Sequence, residues 1–119
     1  MPERHSRPVP GGRAVFLTAR LWELAKDLPI ERVPIDAIRE FDQDCWFDGE
    51  PATCRMVARH VERIQQADLN YPVILSADGR LMDGGHRIAK AWLSGAATID
   101  AVRFRVDPEP DYIEWAATT

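Results

Sequence analysis

Residues 71–95, YPVILSADGRLMDGGHRIAKAWLSG, leave less conformational freedom than any other part of the chain. Tyr71 to Leu75 is a short apolar run suited to a strand, Asp78-Gly79 is a hairpin-turn dipeptide, and Arg80-Leu81-Met82 returns as a second strand. Asp83-Gly84-Gly85 breaks the extended run. Ile88 and Trp92, with Ala89, Ala91 and Leu93, then set a helical stripe in which Trp92 reads as a core position. Gly95 ends the helix. Residues 98–106, TIDAVRFRV, alternate as a last strand. Strands and helices mixed in this way point to a small α+β domain.

The rest of the chain is less sharply written. In residues 18–28 the positions Leu21, Leu24, Ala25 and Leu28 follow a helical stripe, with Thr18 as candidate N-cap and Pro29 as a stop. Residues 30–35 alternate like a short strand, which Pro34 places at an edge or near its end. Asp36 can cap a helical turn through Ile38 to Phe41. Residues 42–52 break every pattern and read as a long loop. Residues 53–67 form an amphipathic helix with Val57, Val61 and Ile64 as its expected buried stripe and Met56 and His60 alongside. His60 is read there as a packed histidine rather than a ligand. Arg55, Arg59 and Arg63 make a basic ridge, read as a solvated face. Residues 1–13 hold three prolines and two glycines without periodicity and are expected to be a flexible leader. Residues 14–107 then form one domain, and 108–119 a Pro- and acid-rich tail.

Composition narrows the function classes. A chain of 119 residues has room for one domain and one core. The net charge of −4 disfavours a protein whose main task is gripping DNA, which usually presents a basic face. Cys45 and Cys54 fit no paired metal-ligand spacing, and a zinc site with His60 lacks a fourth ligand, so no metal site is assigned. No signal-peptide run and no stretch near twenty apolar residues occurs, so no membrane partner is expected and the cytoplasm is the default location.

The Asp83-Gly84-Gly85-His86-Arg87 box carries the chemistry. A helix start leaves backbone N–H groups unpaired and a partial positive charge pointing outward. Two glycines before it remove side chains, so a phosphate can approach the backbone closely. His86 and Arg87 fall in the first turn, where cations are unfavourable unless an anion lies between them and the dipole. Arg87 suits a bidentate grip on phosphate, and His86 can donate a hydrogen bond or move a proton near neutral pH. A Gly-Gly bend serves packing equally well, and both basic residues could simply be solvated.

The same segment resembles the core of the ParB/sulfiredoxin-like superfamily, most strongly over residues 71–95. The resemblance implies a small α+β domain with a mixed β-sheet and packed helices, and a glycine-containing box that cradles nucleotide phosphates. Sulfiredoxins carry a Gly-Gly-Cys-His-Arg box. Here Gly85 stands at the cysteine position, so that chemistry is not expected. The CTP-binding Gly-Glu-Arg-Arg box of chromosome-partitioning ParB proteins is matched by Gly84 and Arg87 only. The Asp-Gly-His-His-Arg box of the free-serine-kinase branch is closest, with Asp83, Gly84, His86 and Arg87 matching and Gly85 departing.

That likeness implies Asp83 and His86 as catalytic residues, and Gly84, Gly85, His86 and Arg87 as the cofactor-binding set. It implies a nucleoside di- or triphosphate with Mg2+, and a small-molecule acceptor in a phosphotransferase, or water in a nucleotide hydrolase. Asp83 reads equally as a cap or turn residue. A kinase also needs an acidic base from the N-terminal half, for which Glu40, Asp42 and Asp44 lie in the right region. The alternative is a non-enzymatic DNA- or protein-binding regulator of the same fold, and exposed edge strands would allow a homodimer. In the 42–52 loop, Asp42, Asp44, Asp48 and Glu50 could bring carboxylates to Mg2+ or form a solvated surface. Trp46 and Phe47 could stack on a base, cover the pocket or pin the loop to the core.

Overall fold

Val73, Ile74 and Leu75 are all fully buried, although successive strand residues point to opposite faces. Their strand must therefore be covered on both sides, and the rest of the chain supplies the two covers. The computed structural model describes residues 3–117. In chain order the elements are β1 (Arg4–Val9), β2 (Gly12–Leu17), α1 (Thr18–Ala25), β3 (Glu31–Pro34), α2 (Cys54–Gln66), β4 (Val73–Leu75), β5 (Leu81–Asp83), α3 (Gly85–Leu93), β6 (Thr98–Arg103) and β7 (Tyr112–Trp115). Two short 3-10 turns, Ile35–Ala37 and Arg39–Asp42, follow β3.

The central sheet runs β3-β6-β4-β5, with β4 parallel to β6 and the other pairs antiparallel. Val73, Leu75, Leu81 and Ala101 face one way and join Ile88 and Ala91 of α3 with Ile35 and Ile38. Ile74, Met82 and Val102 face the other way and join Phe16 of β2 with Leu21 and Ala25 of α1. The chain is thus an α+β domain with a mixed sheet and packed helices, as the sequence suggested. Asp78-Gly79 does form the turn between β4 and β5, with Gly79 at φ +83°. β3 is an edge strand ending at Pro34, also as read. No helix among the described residues is long and apolar enough to cross a membrane.

A second, antiparallel sheet, β1-β2-β7, was not anticipated. Residues 4–9, expected in a flexible leader, are β1, and Pro10-Gly11 is the tight turn into β2, with Gly11 at φ +81°. The supposed tail contributes β7, whose Trp115 pairs with Gly12 and Tyr112 with Val15. The strand ending at Leu17 runs straight into α1, so Thr18 is a buried helical residue and not the cap. Three apolar positions are also corrected. Trp92 is 55% exposed, its ring tilted at 56° to that of Phe41 with centroids 5.9 Å apart, and Val57 and Val61 are 46% and 44% exposed. α2 packs mainly against α3 and buries none of its residues fully, because both faces of the central sheet are already taken by other elements.

Candidate functional site

β5 ends at Asp83, and Gly84 then turns the chain with φ +126° and ψ 19°. A Cβ at Gly84 would lie 2.5 Å from Val73 Cγ1 and 3.0 Å from Arg87 Nη2, so only glycine fits between the sheet and the helix. α3 begins at Gly85 with no side-chain cap, and its first helical bond runs from Ile88 N to Gly84 O. The amides of the first turn are left without intrahelical acceptors. They open onto a cleft of about 870 Å³ that residues 83–87 line together with β1, α2 and the loop before it.

Arg87 does not stand free in this cleft. Its Nη2 donates to Asp83 Oδ2 at 2.8 Å, and its guanidinium lies 5.2 Å from the Trp22 ring centroid. Trp22 Nε1 donates to the same Asp83 oxygen at 3.0 Å. Asp83 thus ties Arg87 and α1 to the end of β5. The charge that the sequence left facing the helix dipole is compensated from within the box, which weakens the argument that two first-turn cations require an external anion. What remains is a guanidinium with most of its five donors uncommitted, including Nε, which is buried and has no partner.

His86 is met by a residue that sequence reasoning had set aside. His60 Nδ1 on α2 lies 2.8 Å from His86 Nε2, and the two rings are nearly coplanar at 8°. Trp46 stacks on both, with centroids 4.7 Å from His60 and 4.6 Å from His86. Phe47 meets His60 edge-on at 5.2 Å. Burial, followed by the positive charge of Arg63, pulls His86 down to about 4, and the same two causes lower His60. Both imidazoles are therefore neutral at pH 7, one donating and the other accepting. His86 is not poised to exchange a proton near neutrality, as the sequence suggested. Gly85 has a distinct role here: a Cβ would come 3.3 Å from Trp46 Nε1, so its absence lets the indole settle against the helix start.

The candidate acids are distributed unevenly. Asp44 lines the cleft, but its two oxygens accept the amides of Trp46, Phe47 and Gly49, and those bonds, Gly49 first, lower its pKa. It organises the loop. Glu40 also lines the cleft; Oε1 accepts the Leu81 amide at 2.9 Å and Oε2 lies 3.6 Å from Arg80. No group of three or more His, Cys, Asp or Glu residues able to hold a metal ion occurs among the described residues. Cys45 and Cys54 are exposed and unpaired.

The far wall comes from the hairpin that the sequence had marked as a leader. His5, Arg7 and Arg13 line it, Arg7 paired with Asp107 at 3.2 Å and Arg13 bonded to Ser6. His5 lies over Phe16, and burial, then Arg7, hold it at about 4. The Pro10-Gly11-Gly12 run was the available signal for this hairpin. Nothing local in the sequence links His60 to His86.

The fold and cleft define a small α+β domain with a polar, arginine-rich cavity at the start of a helix. Comparison with protein-family models, with curated proteins and with solved structures finds no match to this chain.

Proposed function

We propose that the cleft binds a phosphate-bearing ligand, a nucleoside di- or triphosphate, with a phosphate on the helix start formed by residues 84–87. The observation that carries this reading is Arg87. A guanidinium fixed by Asp83 and Trp22, lining the cleft with donors beyond the one that Asp83 accepts and set in the uncapped first turn of α3, suits an oxyanion. The cleft volume falls in the range of small-molecule and cofactor sites. The likeness of the box to the ParB/sulfiredoxin-like superfamily points the same way.

The finer reading is a phosphotransferase acting on a small molecule, or a nucleotide hydrolase. Arg87 and the backbone amides would hold the developing phosphate charge, and neutral His86 would donate to a phosphate oxygen. Asp83 acts in this scheme by positioning Arg87 rather than as the base. Glu40, with Oε1 on the Leu81 amide and Oε2 3.6 Å from Arg80, is one of several carboxylates lining the cleft that would serve as general base or Mg2+ ligand.

A thermal-shift panel with ATP, ADP and CTP, each with and without Mg2+, tests the reading. Stabilisation that Arg87→Ala abolishes supports it. If no nucleotide stabilises the intact protein at millimolar concentration, the proposal is wrong.

A further inference from the structure

A hydrogen bond between two imidazoles joins one N–H donor to one lone pair, so at least one of His60 and His86 is neutral while they stand 2.8 Å apart. Both rings lie flat against Trp46, which makes the pair the surface on which the indole rests. Trp46 belongs to a turn that Asp44 has already folded by gathering the amides of residues 46, 47 and 49. That turn can move as a unit. Its hold on the cleft includes the stack, the approach of the indole to Gly85, the edge of Phe47 on His60, and a contact from Cys45 Sγ to Glu40 O at 3.3 Å. A loop held mainly through one indole on two titratable rings has a defined point of release.

We propose that His60, His86 and Trp46 form a proton-operated latch: it holds the loop of residues 44–49 against the start of α3 while the two imidazoles share a hydrogen bond, and it releases the loop when both are protonated. Two protonated rings offer only donors to each other and repel at this distance. The first proton is tolerated, because a cation stacked on an indole face is favourable and the N–H···N bond survives. The second is not.

The surroundings set the direction. Arg63 on α2 acts on both rings, and Arg87 on α3 acts on His86. Asp83 on β5 opposes them, but it is bound to Arg87 and Trp22. Glu3, before β1, is paired with Arg63 at 2.8 Å, and the Asp44 carboxylate is turned toward its own loop amides. Positive charge and burial therefore both resist protonation. The latch is closed at neutral pH and opens as pH falls below the ordinary imidazole range. It operates in the ligand-free protein and does not depend on phosphate binding.

The test is an NMR titration of the full 15N-labelled chain from pH 7.5 to 4, with far-UV circular dichroism in parallel. The Trp46 indole N–H, assigned by its loss in Trp46→Phe, should shift as the imidazoles protonate. The far-UV signal should stay constant through that shift. His86→Gln and His60→Gln replace a titrating ring with a group that still hydrogen-bonds, and each should flatten the transition. The proposal is overturned if the indole keeps its pH 7.5 position while both rings protonate. It is equally overturned if the indole moves only together with loss of the far-UV signal, or if both glutamine variants show the same transition.

Discussion

The two glycines of the box do different jobs, and alanine at each separates them. At Gly84 the backbone sits at φ +126°, where an L side chain costs about 1–2 kcal/mol. The new methyl would also lie 2.5 Å from Val73 Cγ1 and 2.8 Å from its Cβ. Val73 is fully buried and cannot withdraw without disturbing the core around Leu75 and Ile88, an overpacking cost of about 1–3 kcal/mol. Gly84→Ala should therefore lose about 4 kcal/mol, a large part of the ~5–15 kcal/mol that keeps a domain folded. Gly85 has no positive φ, and alanine gains up to ~1 kcal/mol of helix propensity there. Its methyl's nearest neighbour is the Trp46 indole at 3.3 Å, in a loop that can shift by a few tenths of an ångström. Gly85→Ala should stay within about 1 kcal/mol of the parent. Urea unfolding followed by far-UV circular dichroism measures both, provided the slope is unchanged. A Gly84→Ala loss below about 1 kcal/mol, or equal losses for the two variants, would refute the argument.

Other outcomes follow from the same geometry. Asp83→Ala leaves the Arg87 guanidinium without its counter-charge and should cost about 2–3 kcal/mol in the same urea assay, with Asp83→Asn costing less because an acceptor for Trp22 Nε1 remains. Thr53 Oγ1 accepts the Met56 amide, so Thr53→Ala should lose about 1 kcal/mol of local stability, seen as faster amide exchange confined to the first turns of α2. His5 is held at about 4 against 6.5 unfolded. The unfolded chain thus takes up its proton first, and the stability from a neutral His5 is full above pH 6.5 and lost as pH falls toward 4. The loss is about 2–3 kcal/mol at most, and the difference between urea midpoints at pH 7.5 and 4.5 should shrink in His5→Phe.

How much of this was legible in the sequence depended on how local the determining contacts are. Residues 71–95 were read correctly as hairpin, bend and helix because Asp78-Gly79, Gly84 and Gly95 act on their immediate neighbours. The N-terminal strands are hidden by Pro8 and Pro10, which break any local pattern, although Pro10-Gly11 is itself a turn signal. β7 pairs with β2 across almost the whole chain, and nothing near Tyr112 announces that partner. The stripe on α2 was visible, but burial depends on what lies opposite, and the sheet faces were already occupied. At the site, the box residues do lie together on one cleft wall, whereas the Asp83–Arg87 pair and the His60–His86 contact depend on side-chain directions that spacing alone does not give.

The second sheet also ties the two ends of the chain together. β1 and β2 meet through a two-residue turn and can pair in the first moments of folding. β7 must return from the far end of the chain, and the Arg4 to Tyr112 hydrogen bond joins residues 108 positions apart. Closing so long a loop is entropically unfavourable until the central sheet has formed and brought the segments near. The pairing of β7 with β2 therefore waits on the central sheet, while β2 already anchors to that sheet through Phe16, so the two ends of the chain are tied together late on a strand that is in place early.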